Sequence, residues 1–138
     1  LARVGFDNII GYLDKGFNSW KDANLEIAKI STISAQDFSK IIQEKKVEIY
    51  DVRKPSEFFS EHIVDSNNIP LLSISENEQK IIKNNNVYMH CAGGYRSMIA
   101  NSILKSKGFH NIIDIEGGFS SIKECSIKIT DYICPSEL

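Results

Sequence analysis

The residues best suited to chemistry are Cys91-Ala92-Gly93-Gly94-Tyr95-Arg96-Ser97. They stand between a β-rich run, Val87-Tyr88-Met89-His90, and a stretch of helical periodicity that begins at Ser97. In that setting a strand delivers the Cys91 thiol to the carboxyl edge of a sheet. Gly93 and Gly94 let the backbone curl around the sulfur, and the following helix points its free N–H groups into the same concavity. Such a cradle favours an anion, so the thiol is expected to ionise below the roughly 8.5 of a free cysteine and to act as a nucleophile. Arg96 is suited either to clamping an anionic substrate or to bracing the loop through an acid such as Glu57. Asp51 and Arg53 end a second strand beside the loop and are expected to support the site.

The elements that position these residues follow from local pattern. Ser34-Ala35-Gln36-Asp37 is a capping-box variant opening a helix with Phe38, Ile41 and Ile42 on one face. Residues 47–52 alternate as a strand, Pro55 opens a short helix through Phe59, and Ile69-Pro70-Leu71 is a brief extended piece. Residues 75–83 read as a polar helix leading through Asn84-Asn85-Asn86 into the Val87 strand. The helix after the loop has Met98, Ile99, Ile103 and Leu104 as its expected core face and ends at Gly108. A strand over 112–115 and a helix over 119–125 follow. Strands alternating with helices imply a parallel α/β sheet covered on both faces, with ligands at the carboxyl ends of its strands. His90 precedes Cys91 in its strand and points to the opposite face, so it is not expected to serve as a base. His62 is expected to be structural and Cys125 to pack in the core. Cys134 and Pro135 fall in a tail, 126–138, expected to be a loosely attached extension.

The Cys91–Ser97 loop occurs together with Asp51-Val52-Arg53, Glu57-Phe58, His62-Ile63, Asn68-Ile69-Pro70-Leu71, Gly108-Phe109 and Gly117-Gly118-Phe119. In this order the motifs resemble the rhodanese, or sulfurtransferase, module over residues 30–125. The resemblance implies a rhodanese-like three-layer α/β fold with a mostly parallel central sheet and helices on both faces. It also implies that Cys91 attacks the sulfane sulfur of a thiosulfate- or persulfide-type donor, carries it as Cys91–S–S⁻, and passes it to a thiol- or cyanide-type acceptor. The N–H groups of Ala92 to Ser97 would then hold the terminal sulfur, with no cofactor beyond the covalent persulfide and no metal. Glu61 departs from the pattern, since the family usually has Gly-His-Ile where this chain has Glu61-His62-Ile63. Two other readings stand beside this one. A cysteine phosphatase or arsenate reductase uses the same kind of cradle, but its loop is C-x5-R where this one is C-x4-R. A non-catalytic, rhodanese-like interaction module of a larger hydrolase would keep the fold without the turnover.

An internal repeat bears on organisation. Gly5-Phe6-Asp7-Asn8-Ile9-Ile10 recurs as Gly108-Phe109-His110-Asn111-Ile112-Ile113, and Gly16-Phe17-Asn18-Ser19 as Gly118-Phe119-Ser120-Ser121. An offset of about 100 residues exceeds any solenoid unit and suggests tandem domains. Together with the absence of a methionine at Leu1, it gives the expectation that residues 1–25 end a preceding rhodanese-like module, an upstream domain of the same polypeptide. That segment also resembles the linker of metallo-β-lactamase-fold hydrolases that carry C-terminal rhodanese modules. No H-x-H-x-D-H metal cluster occurs in this chain. With 138 residues, 42% of them hydrophobic, the chain can bury one ordinary core. A net charge of −2 gives no basic footprint for nucleic acid. No apolar run approaches the ~18 residues of a membrane span. Three cysteines are too few for a secreted disulfide scaffold, so the reducing cytoplasm is the expected compartment.

Overall fold

The computed structural model of the chain describes residues 10–134, so the repeat's opening residues Gly5 to Ile9 and the expected tail beyond Cys134 lie outside the described residues. In chain order the elements are α1 (Phe17–Asp22), β1 (Ser31–Ile33), α2 (Ala35–Glu44), β2 (Glu48–Asp51), α3 (Pro55–Ser60), β3 (Asn67–Asn68), α4 (Ile74–Asn77), β4 (Val87–His90), α5 (Tyr95–Ser106), β5 (Ile112–Ile115) and α6 (Gly118–Ile122). Five strands form one parallel sheet in the order β1-β5-β4-β2-β3. The chain leaves β2 for β3 on one side and returns to β4 on the other. The carboxyl ends of β2 and β4 therefore flank a crevice, where ligands settle in such sheets.

The alternation of side chains across the sheet builds two cores. On one face Val87, Met89 and Cys91 pack with Tyr50, Val52, Ile112 and the α5 residues Ala100 and Leu104. On the other, Tyr88 packs with Ile49, Ile115, Phe38 of α2, and Phe119 and Ile122 of α6. All four residues of β4 are buried, as a central parallel strand with helices on both sides requires. The α2 cap is as expected, with the Asp37 N–H donating to Ser34 Oγ at 3.1 Å.

Four expectations change. β1 had no sequence signal of its own and exists as a short strand paired to β5. The polar helix over 75–83 is instead two short pieces, α4 and a 3-10 turn at Glu78–Lys80, preceded by another 3-10 turn at Leu71–Ser73. α5 begins at Tyr95, and its buried face is Ser97, Ala100, Asn101 and Leu104, while Met98 and Ile99 are exposed. The described part of the segment after Ser126, as far as Ile133, is packed against the domain. Ile127 is buried in the second core, Ile129 bridges Ile63 antiparallel, and the N–H groups of Val64, Thr130 and Ile133 donate to Lys128, His62 and Ser60 carbonyls.

Candidate active site

Cys91 follows the last residue of β4 and is almost fully buried, with 1% of its surface exposed. The chain turns at Gly94, whose φ of 102° places it in a backbone region that residues with a Cβ seldom occupy. Gly93 has no such φ, and a Cβ built there meets nothing within 4 Å, so the demand for glycine rests on Gly94. The turn brings the Gly94 N–H to 3.1 Å from Cys91 Sγ. Burial pushes the thiol up. Hydrogen bonds from the Ser97 hydroxyl and from the Ser97, Gly94 and Gly93 N–H groups outweigh that penalty and bring it below its ordinary value. Of the main-chain donors expected over Ala92 to Ser97, those of Gly93, Gly94 and Ser97 thus face the sulfur, with the buried Ser97 side chain beside them.

The loop is held open by contacts on its outer side. α6 docks end-on against it: the Phe119 N–H donates to the Cys91 carbonyl at 2.7 Å and the Ser120 N–H to the Ala92 carbonyl at 3.0 Å. These bonds turn the loop carbonyls outward and leave its N–H groups for the sulfur. The approach is close enough that a Cβ on Gly118, itself at φ 58°, would lie 2.4 Å from the Cys91 carbonyl oxygen. Sequence reasoning had Gly117-Gly118-Phe119 only as part of a motif, and its role as the loop's anchor became visible with the fold.

Arg96 braces the loop. Its Nη1 and Nη2 donate to Glu57 Oε2 and Oε1 at 2.6 and 2.9 Å, tying the first turn of α5 to α3. The same carboxylate accepts from the Lys54 N–H at the start of α3. The Arg96 guanidinium beside Glu57 is the main cause that holds its carboxyl at about 2. Of the two roles open to Arg96, the ion pair with Glu57 is the one realised here. Tyr95 is exposed at the rim of the loop.

Asp51 and Arg53 form a buried pair under the crevice. Arg53 Nη2 lies 2.7 Å from Asp51 Oδ2, Nε lies 2.8 Å from the same oxygen, and Nη2 also donates to the Glu61 carbonyl. The guanidinium stacks on the Phe119 ring at 4.0 Å, so the pair supports α6 and, through it, the loop. His90 stacks on Phe119 of α6, on the sheet face opposite the Cys91 sulfur, with Nδ1 3.2 Å from the Cys91 carbonyl, and burial holds it below its ordinary value. His62 stacks on Phe58, with Nδ1 2.7 Å from the Phe58 carbonyl, a structural role. Cys125 is half-buried against the second core. Among the described residues no cluster of three or more His, Cys, Asp or Glu is arranged to hold a metal ion. A cleft of about 250 Å³ adjoins the brace, lined by Arg53, Ser56, Glu57, Ser60, Phe119 and Tyr132 among others. The larger hollow, about 570 Å³, is lined by none of the loop residues.

The family model of the rhodanese-like domain matches residues 34–125, a span that contains the loop, both braces and the α6 anchor. This chain belongs to the rhodanese-like family. It is 35% identical over 75 residues to YqhL of Bacillus subtilis, an alignment covering 54% of this chain and 60% of that protein. It is 27% identical to the thiosulfate sulfurtransferase GlpE of Tolumonas auensis, covering 67% of this chain and 88% of GlpE. The crystal structure of a rhodanese-related protein from Thermoplasma volcanium superposes with a TM-score of 0.65 at 31% identity, covering 72% of this chain and 97% of that one. The chain thus spans less than two thirds of YqhL, and what it shares with the Thermoplasma volcanium protein is the fold.

Proposed function

We propose that this domain is a sulfurtransferase that moves a sulfane sulfur through a persulfide on Cys91. The observation that carries the reading is the sulfur's setting: a thiol ringed by the Gly93, Gly94 and Ser97 donors and held below its ordinary pKa despite burial. The thiolate attacks the outer sulfur of a donor R–S–S⁻ or thiosulfate. The donor's S–S bond breaks, R–S⁻ or sulfite leaves with the bonding pair, and Cys91–S–S⁻ remains. The same donors that hold the thiolate hold the terminal sulfur of the persulfide, and a thiol or cyanide acceptor then removes it. The intact loop favours this over a non-catalytic interaction module. Against a phosphatase stands the Arg96 guanidinium, engaged by Glu57 on both nitrogens rather than free to wrap a phosphoryl group.

The test is uptake of cyanide-labile sulfur. Protein incubated with thiosulfate or glutathione persulfide and then desalted should release close to one equivalent of thiocyanate with cyanide. A protein that takes up no sulfur from either donor type sinks the proposal. Residues 1–25 are read as the end of a preceding rhodanese-like module. The repeat supports this, as does the geometry at Gly16, whose φ of 57° before α1 matches the 58° of Gly118 at the start of α6. α1 buries none of its residues, and Phe17 and Trp20 are exposed, which fits a helix built to dock on an upstream domain. A metallo-β-lactamase-fold partner upstream and a cytoplasmic setting, where a persulfide carrier meets thiol acceptors, complete the proposal.

A further inference from the structure

The last residue of β4, His90, is fully enclosed in register with Asp51 of β2, a place where an apolar side chain would be the rule. It faces the second core and stacks on Phe119, within 18° of parallel at a centroid distance of 5.9 Å, so it does not reach the Cys91 sulfur. In that pose Nδ1 lies 3.2 Å from the carbonyl oxygen of Cys91. Nε2 is the one buried side-chain polar atom without a hydrogen bond among the described residues.

These contacts decide where the ring proton sits. A carbonyl oxygen only accepts, so the bond to Cys91 requires the proton on Nδ1. The other tautomer fails at both nitrogens. Its Nδ1 lone pair would face the carbonyl oxygen, and its Nε2–H would be enclosed with Asp51 Oδ2 3.9 Å away, beyond hydrogen-bond distance. An imidazolium is no better placed, because the Asp51 carboxylate is already matched by Arg53. Oδ1 accepts the Arg53 main-chain N–H at 2.9 Å, and Oδ2 lies 2.8 Å from Nε and 2.7 Å from Nη2. Burial accordingly holds His90 below its ordinary value, against the pull of Asp51.

The Cys91 carbonyl then has two donors, the Phe119 N–H at 2.7 Å and His90 Nδ1–H at 3.2 Å, one for each lone pair. The Cys91–Ala92 peptide is trans and planar, so its C=O and N–H point in opposite directions. Fixing the oxygen toward α6 and the His90 ring fixes the Ala92 N–H on the other side. We propose that His90 is a positioning residue for Cys91: as the Nδ1–H tautomer it is the second donor to the Cys91 carbonyl and locks the first peptide of the loop. With that donor removed, the peptide can rock about the single bond from Phe119, and the Gly93 and Gly94 N–H groups that follow it lose their aim at the sulfur. No proton changes owner; the ring acts only through the carbonyl.

The inference takes Cys91 as the reactive thiol from the sulfur-transfer reading. Its test reads the ring and the thiol directly, so a protein that takes up no cyanide-labile sulfur sinks that reading and leaves this test intact. Long-range proton–nitrogen correlation spectra at pH 7, with His62→Gln and His110→Gln variants assigning the rings by elimination, should show His90 protonated on Nδ1 and bare on Nε2. A proton on Nε2, alone or together with one on Nδ1, overturns the proposal. In a Cys125→Ser/Cys134→Ser background, the rate of Cys91 alkylation by iodoacetamide at pH 7 is then compared for His90→Asn, His90→Gln and His90→Leu. Asparagine places its amide near the position of Nδ1 and should stay within about twofold of the parent. Glutamine, whose amide falls near Nε2, and leucine should slow alkylation about three- to tenfold, the worth of one hydrogen bond. Packing alone would rank the two amides the other way, since glutamine fills more of the ring's space. A glutamine variant as fast as the asparagine one, or a leucine variant at the parent's rate, overturns the proposal. Should any of these variants not fold, the spectra of the parent decide.

Discussion

Replacing Gly118 by alanine tests the claim that α6 shapes the sulfur cradle from outside. The new Cβ would sit 2.4 Å from the Cys91 carbonyl oxygen and 2.9 Å from the Ala92 carbonyl carbon, and both neighbours are backbone. Neither can swing aside, so α6 has to move off the loop. Movement stretches the Phe119 N–H to Cys91 bond of 2.7 Å and the Ser120 N–H to Ala92 bond of 3.0 Å. Losing two such bonds costs about 1–3 kcal/mol in total. Holding alanine in the left-handed region, at the 58° of Gly118, adds about 1–2 kcal/mol. The sum, about 2–5 kcal/mol, corresponds to a fall in Tm on the order of 10 °C for a domain of this size. The loop carbonyls freed from α6 can rotate inward, so Cys91 alkylation at neutral pH should slow as well. Gly93→Ala is the control, since its Cβ meets open space, and it should stay within about 0.5 kcal/mol of the parent. Thermal melts with alkylation rates on the same samples make the measurement. A Gly118→Ala protein that melts with the parent and alkylates at the same rate would refute the reasoning.

Cys91→Ser should abolish uptake of cyanide-labile sulfur while melting like the parent, whereas Cys125→Ser should keep most of the uptake; loss of uptake in the latter would replace the single-cysteine scheme with a two-cysteine one. Glu57→Gln removes a partly exposed bidentate pair and should cost about 1–2 kcal/mol at pH 7, discounted for solvent screening. Because the Glu57 carboxyl is lowered from 4.5 to about 2, the pair's contribution is fully present above pH 4.5 and is lost as pH falls through 2. Urea unfolding of both proteins should therefore converge toward pH 2, and a gap unchanged at that pH would contradict the assignment. Ile127→Ala should cost about 2–4 kcal/mol if the segment after Ser126 belongs to the second core, and a loss under 0.5 kcal/mol in chemical denaturation would return that segment to a loose tail.

The parts of this fold legible in the sequence are those whose burial demands a pattern. β2 read as an alternating strand and β4 as a β-rich run, while β5 was marked by its isoleucines. β1 went unread because three residues, Ser31-Thr32-Ile33, carry too little pattern, and their pairing is imposed by β5. α5 misled for a chemical reason. The helix face nearest the sulfur carries Ser97, which donates to the Gly94 carbonyl, and Asn101, which donates to the buried Asp114, so polar residues are buried there and the apolar Met98 and Ile99 are left outside. A reading by hydrophobicity fails where a site needs polar groups in the core. The cradle itself was legible because its glycine, thiol and helix start are contiguous, as was the option that Arg96 pairs with Glu57. The α6 anchor and the bond from Asn101 to Asp114 were not, since both depend on contacts that only the sheet order creates.

The pairing of every nearby guanidinium determines what kind of anion the cradle suits. Arg96 is held by Glu57 and Arg53 by Asp51, each through short bonds to a carboxylate. The interior around Cys91 is therefore lined by N–H dipoles and one hydroxyl rather than by unpaired cations. Dipoles in a nearly water-free site stabilise a single negative charge well, because they need no reorganisation and are weakly screened. A phosphoryl dianion with four oxygens needs more donors and a cation aimed inward. Turning Arg96 inward would cost the bidentate bond to Glu57 and the tie between α5 and α3. A thiolate becoming a persulfide keeps one charge and moves it outward by one sulfur atom, a change that a ring of backbone donors accommodates without any side chain leaving its partner.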